Sequence, residues 1–195
     1  MFTADALTGK ILTRCRQFDR GSACLSMSAV AGGILCGGAD GRIHLVNVTD
    51  GTIEASWRAG ESRIYSLTVN RDESLIYSGM ATGVIRVFDS EGNLRGQMSG
   101  HQGRVLSLAL SNDGETLASG SADHRIAIWD TRSGEMQLLL NRHTDSVTDL
   151  CFSKDDSELW STSAEGTVYR WNSQDSDDSI SKTPESTEIR QGPPE

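Results

Sequence analysis

The sequence holds little proline, few cysteines and no long hydrophobic run, and each scarcity closes off a class of protein. Only 3 of its 195 residues are proline, which excludes collagen-like and proline-rich chains. The longest apolar runs are a handful of residues, such as Ala29-Val30-Ala31 and Leu138-Leu139-Leu140. A membrane-spanning helix needs about 20 such residues in a row, so no helical crossing of a bilayer is expected. Residues 1–20 contain Lys10, Arg14, Arg16 and Arg20 but no apolar core of signal-peptide length, which argues against secretion. The four cysteines, Cys15, Cys24, Cys36 and Cys151, form no CxxC pair, so a zinc ribbon or thioredoxin-type site has no support. Each lies in an apolar, strand-like stretch, as free thiols do in a reducing compartment. Basic residues are outnumbered, 18 against 27 carboxylates, for a net charge of −9. Such a surface repels phosphate backbones, although a local basic patch could survive on it.

What the chain does have is an internal repeat. Four segments align: 24–47, 66–89, 107–130 and 149–172, closing on Asn47, Asp89, Asp130 and Asn172 at intervals of 42, 41 and 42. DALTGKI (5–11) matches NVTDGTI (47–53) one period earlier, so the phase reaches the first residues. Within the third unit, four short stretches rich in Val, Ile and Leu (about 104–110, 115–120, 125–129 and 135–140) are bounded by Gly, Asp, Asn or Ser, and read as strands. The turn between second and third strands is Asp40-Gly41, Thr82-Gly83, Asp123-His124 and Glu165-Gly166. A tight hairpin wants a positive φ at its second residue, which glycine supplies and histidine tolerates. The turn into the fourth strand ends on Gly9, Gly51, Gly92 and Gly134. A period of this length built from strands points to propeller blades.

Two dipeptide pairs sharpen the reading. Gly100-His101 precedes Trp129-Asp130, and Arg142-His143 precedes Trp171-Asn172 by the same spacing. In these features the chain resembles the WD-repeat β-propeller family over about residues 5–172. The resemblance implies an all-β fold of about four four-stranded antiparallel blades, in a partial or open propeller. Its expected divisions are a lone outer strand of a preceding or closing blade (1–21), blades at 22–60, 61–100 and 101–142, a fourth blade without its outer strand (143–172), and a disordered acidic tail (173–195).

The resemblance also implies a hydrogen-bonded string of four side chains within a blade. By position these are His101, Ser119, Asp123 and Trp129 in the third unit, and His143, Ser161, Glu165 and Trp171 in the fourth. The second unit keeps only Ser78, with Gly60, Thr82 and Phe88 elsewhere, and the first keeps Asp40, with Cys36 and Val46. A half-buried carboxylate must be hydrogen-bonded, an imidazole can donate to it, and an indole N–H needs an acceptor at the other end. The same residues could be read as a Ser/His/Asp hydrolytic set. No nucleophile elbow surrounds Ser119, and recurrence in each repeat suits a scaffold better than one active site. The four histidines, His44, His101, His124 and His143, include no i, i+4 pair, and no GxxxxGK[ST] loop occurs. No catalytic residue, metal or cofactor is therefore expected.

Partner contacts are expected on the loops before each first strand. Arg63 and Arg104 hold equivalent places there, Ser146 holds the third, and Gln102, Thr144 and Glu61 lie two residues earlier. Arginine is a favoured interface anchor. Ala39, Ala81, Ala122 and Ala164 precede the hairpin carboxylate positions and make that face shallow. Trp57 and Trp160 fall outside the signature, packed between blades or, for Trp160, exposed at the end of an array. Residues 173–195 carry −4 of the −9, and Ser176, Ser179 and Thr183 there are possible phosphoacceptors.

Sixteen strands are expected where a ring of this type closes with seven or eight blades. Three explanations stay open: part of a longer propeller, two copies making an eight-bladed ring with strand 9–18 completing the other copy's last blade, or completion of another chain's arc. The functional expectation is a non-catalytic scaffold for protein–protein interactions within a multiprotein complex, inside the cell, in cytoplasm or nucleus. The partners are other proteins, with no membrane and no direct nucleic-acid contact. Two alternatives are an RNA-associated assembly component of ribonucleoprotein or ribosome-biogenesis type, and an enzyme using the propeller face.

Overall fold

The computed structural model describes residues 2–4, 11–14 and 24–172. Expectations placed on Gly9, Cys15, Ser176, Ser179, Thr183 and the acidic tail lie outside the described residues. The described part is all β. Strands β1 (Phe2–Ala4) and β2 (Ile11–Arg14) form a two-stranded sheet. Three four-stranded sheets follow: β3 (Cys24–Val30), β4 (Gly33–Gly38), β5 (Arg42–Asn47), β6 (Ile53–Arg58); then β7 (Ile64–Val69), β8 (Leu75–Met80), β9 (Val84–Asp89), β10 (Leu94–Ser99); then β11 (Val105–Leu110), β12 (Thr116–Ser121), β13 (Ile126–Asp130), β14 (Met136–Leu140). A three-stranded sheet of β15 (Val147–Phe152), β16 (Glu158–Ser163) and β17 (Val168–Asn172) ends the series. Every sheet pairs its strands antiparallel in chain order.

The repeat seen in the sequence recurs in the ladders. Each sheet's first strand carries a register shift after its first residue: Cys24/Ser26, Ile64/Ser66, Val105/Ser107 and Val147/Asp149. β2 falls in the stretch expected as a single outer strand and here pairs with β1. Their register, Ala4↔Ile11 with a shift at Thr3/Ala4, repeats Val46↔Ile53 with its shift at Leu45/Val46 one period on. The hairpins also obey their sequence. Gly41, Gly83 and Gly166 have φ of 74°, 82° and 82°, and His124 takes the same left-handed conformation at 71°.

The core lies between the sheets. Successive blades touch through their first strands, β3 on β7, β7 on β11 and β11 on β15. Leu35 and Ile43 of one blade pack on Ile64, Leu67 and Ile76 of the next. Tyr77, Ile85 and Val87 meet Val105 and Leu117, and Ala118 and Ile126 meet Val147, Leu150 and Leu159. Close approach is made by glycine. A Cβ on Gly37 would stand 2.6 Å from Ile64, on Gly79 2.7 Å from Val105, and on Gly120 2.6 Å from Val147. At the corresponding place the fourth blade has Thr162. There Trp160, in the column of Leu35, Tyr77 and Ala118, is 38% exposed, and Val168, in the column of Ile43, Ile85 and Ile126, is 51% exposed. Beside the last strand, Ile128, Leu138, Leu140, Phe152, Leu159 and Trp171 line a cavity of about 390 Å³.

Candidate binding face and its internal bracing

In the third blade the four string residues meet. Asp123 leaves the β12–β13 hairpin and His101 the loop before β11, and His101 Nδ1 lies 3.0 Å from Asp123 Oδ2. An ionised carboxylate only accepts, so Nδ1 carries the proton. That leaves Nε2 as acceptor, 2.8 Å from Ser119 Oγ, whose hydroxyl donates to it. The Trp129 indole N–H donates to the same Oγ at 2.7 Å. Asp123 also accepts from the backbone N–H of Gln102 at 2.8 Å and of Arg125 at 3.1 Å. Burial would raise the Asp123 pKa, but the Gln102 N–H and His101 outweigh it and hold the carboxyl below its ordinary value.

The fourth blade repeats this with a longer acid. His143 Nδ1 is 2.9 Å from Glu165 Oε1, His143 Nε2 is 2.7 Å from Ser161 Oγ, and the Trp171 indole donates to Ser161 Oγ at 2.9 Å. The extra methylene of Glu165 brings its oxygens to two threonines as well. Thr167 donates to Oε1, and Thr144 donates to Oε2 through its hydroxyl and, at 2.7 Å, its backbone N–H. Thr167 and His143 together lower the Glu165 carboxyl to about 2.

The second blade fills the same place from another strand, a solution the sequence reading missed. Where Gly60 replaces the histidine, Arg86 of β9 donates to the Ala59 carbonyl and the Met80 thioether closes in. A Cβ on Gly60 would lie 2.8 Å from Met80 Cε. Ser78 turns to Met80 Sδ at 3.8 Å and to the Arg86 carbonyl at 3.2 Å. In the first blade the residue aligned with Arg86 is His44, whose Nε2 lies 3.7 Å from Asp40 Oδ2. The aligned column His44, Arg86, Ala127, Tyr169 offered a signal, since its one arginine falls in the unit that has Gly60 in the histidine's place.

The proposed contact residues share the face on which these strings end. Arg63, Arg104, Gln102 and Thr144 are exposed and Ser146 is half-buried. The Arg104 guanidinium stands 5.7 Å over the Tyr65 ring of the preceding blade, and that of Arg142 stands 5.3 Å over Tyr169. Thr144 is tied to Glu165, and the Gln102 backbone to Asp123, so both loops are held by the strings beneath them.

Residues 64–193, about two thirds of the chain, match a family model described as the Vps8 beta-propeller. The chain belongs to the Vps8 beta-propeller family. Solved structures agree on the architecture. The computationally designed Ika4 protein superposes with a TM-score of 0.72 at 25% identity over 85% of this chain and 99% of its own. The designed Ika8 protein gives 0.71 at 25% identity, over 85% of this chain and 50% of its own. A chain of the mitotic checkpoint complex gives 0.77 at 23% identity over 87% of this chain, a likeness of fold alone. This chain spans 53% of that one, so it covers about half the length of two of these three solved chains. No curated protein matches it. The family assignment and these neighbours bear out the expected β-propeller of repeated blades.

Proposed function

We propose that the protein is a non-catalytic scaffold that holds other proteins against the loops before its first strands, within a multiprotein complex. The observation that carries this reading is where the reactive-looking side chains are spent. Ser119 is 0% exposed, and its hydroxyl is shared between His101 and the Trp129 indole. No substrate carbonyl reaches such an oxygen, so the Ser/His/Asp set braces a loop instead of attacking a bond. What remains for recognition is the exposed rim that the bracing holds still, and a rigid rim loses less entropy on binding. An intracellular setting, cytoplasmic or nuclear, accords with the free thiol of Cys151.

The test is affinity capture from native extract with the wild-type chain and with Arg63→Glu/Arg104→Glu. The reading expects a stoichiometric protein set that the wild type retains and the variant loses while keeping its melting temperature. Capture that depends on nuclease-sensitive RNA would move the assignment to an RNA-associated assembly component. Turnover abolished by Ser119→Ala in a folded protein would move it to an enzyme.

A further inference from the structure

The turns between first and second strands lie at one end of the blades, and the loops before the first strands at the other. One place in that turn changes from blade to blade. Glu73, Gly114 and Asp156 are aligned there, with φ of 59°, 75° and 58°, and the N–H of each returns to the carbonyl three residues earlier. Such a left-handed backbone suits glycine and strains a residue with a side chain. The second and fourth blades keep an acid in it, and both spend that acid on the blade before. The Glu73 carboxylate accepts the Ala31 N–H through both oxygens, at 2.8 and 3.0 Å. The Asp156 carboxylate accepts the backbone N–H of Asn112 at 2.8 Å and of Asp113 at 3.1 Å, and the Asn112 side-chain amide at 2.7 Å. Hydrogen bonds to an ionised acceptor are the stronger kind. The first blade is thus latched to the second, and the third to the fourth. Gly114 has no side chain to offer. Among the described residues no side chain of the third blade accepts from the N–H of Arg71 or Asp72, the counterparts of Asn112 and Asp113.

Packing at the turn end differs in the same sense. The turn into each fourth strand lies over the outer strand of the preceding blade. A Cβ on Gly92 would stand 2.7 Å from Trp57 across the first joint, whereas one on Gly134 would stand 4.0 Å from Met98 across the second. The corresponding turn over the third joint lies outside the described residues. At the loop end the second joint is tied. The Ser66 hydroxyl donates to the Val105 carbonyl at 3.2 Å, and the Arg104 guanidinium lies over the Tyr65 ring. We propose that this second joint is a hinge, pivoting at the loop end and opening at the turn end, between two latched pairs of blades. Opening the turn end of either neighbouring joint breaks carboxylate bonds, and opening this one does not. A rim whose loops keep their spacing while the pairs tilt can follow an uneven surface without losing the bracing beneath it. The hinge rests on the joints alone and holds whether or not the loops bind a partner.

Nuclear magnetic resonance on the full chain tests this, with relaxation dispersion reading microsecond-to-millisecond opening and hydrogen exchange reading the latches. The wild type should show dispersion at the amides of Met98 and Gly134, which face the second joint, and none at those of Trp57 and Gly92, which face the first. Gly114→Asp supplies the missing latch. A Cβ there meets nothing within 4 Å, and the fourth blade already carries an aspartate at this place. This variant should slow exchange of the Arg71 and Asp72 N–H about tenfold or more and quiet Met98 and Gly134. Glu73→Gly removes a latch while relieving its backbone, so the variant should fold and bring dispersion to Trp57 and Gly92. Dispersion absent from Met98 and Gly134, or equal at both joints in the wild type, would overturn the hinge. So would Arg71 and Asp72 amides left unprotected in Gly114→Asp, Met98 and Gly134 unchanged in that variant, or Trp57 and Gly92 still quiet in Glu73→Gly.

Discussion

With the acid ionised and the imidazole neutral, the hydrogen-bond directions among a histidine, a serine, an acid and a tryptophan are fixed, and that makes each residue expensive to remove. In His101→Ala, Asp123 loses its Nδ1–H donor and the buried Ser119 hydroxyl loses its acceptor. Chemical denaturation should show a loss of about 1–3 kcal/mol, and an unchanged midpoint would rule out the bracing role. The fourth blade adds a pH signature. The Glu165 carboxyl lies at about 2 in the folded state against 4.5 ordinarily, so the folded chain favours the ionised form. Its stabilisation is complete above the ordinary value and is lost as pH falls from about 4.5 toward about 2. The melting-temperature gap between wild type and Glu165→Gln should therefore be constant near neutrality and close over that acid range. A gap that is flat down to the lowest pH would refute the assignment. His124 makes a third case. Its φ of 71° would suit the glycine found in the other hairpins, so His124→Gly should hold or raise stability, by up to about 1 kcal/mol.

At the scale of strands and blades, period and turn chemistry were legible because both are local. A hairpin glycine and a closing Asp or Asn are set by the backbone of a few residues, and the strands of the third unit lie within a residue or two of where Val, Ile and Leu placed them. The string in the third blade was legible through the family resemblance. Its replacement in the second was not, because Gly60 shows only that a side chain is missing. That Arg86 and Met80 fill the gap depends on packing across strands. The blade-contact glycines were likewise visible as residues but not as contacts. They support a sharp contrast. Gly120→Ala would place a methyl 2.6 Å from Val147 and should cost about 1–3 kcal/mol. Gly96→Ala in β10 meets nothing within 4 Å and should be neutral or stabilising by up to about 1 kcal/mol. Equal effects in thermal denaturation would show that the glycines serve the strands themselves and not the joints between blades.

For the whole molecule, the decisive feature is that, among the described residues, successive blades pack on one another through β3, β7, β11 and β15 in turn. Stability in such an array is a sum of blade terms and joint terms, so damage stays near where it is made. Among the described residues the blade of β15, β16 and β17 has three strands where the preceding blades have four, and Trp160 and Val168 are exposed on the flank where the other blades receive a neighbour. Its hold on the array runs through Val147, Leu150 and Leu159 against the third blade. Gly120→Ala strikes that joint. Hydrogen exchange read by mass spectrometry should show β15, β16 and β17 losing protection first and most, β11 and β12 losing less, and β3 to β6 keeping theirs. Protection lost evenly from the first blade to the last would mean that the blades fold as one cooperative body, and the joint-by-joint account of this propeller would fail.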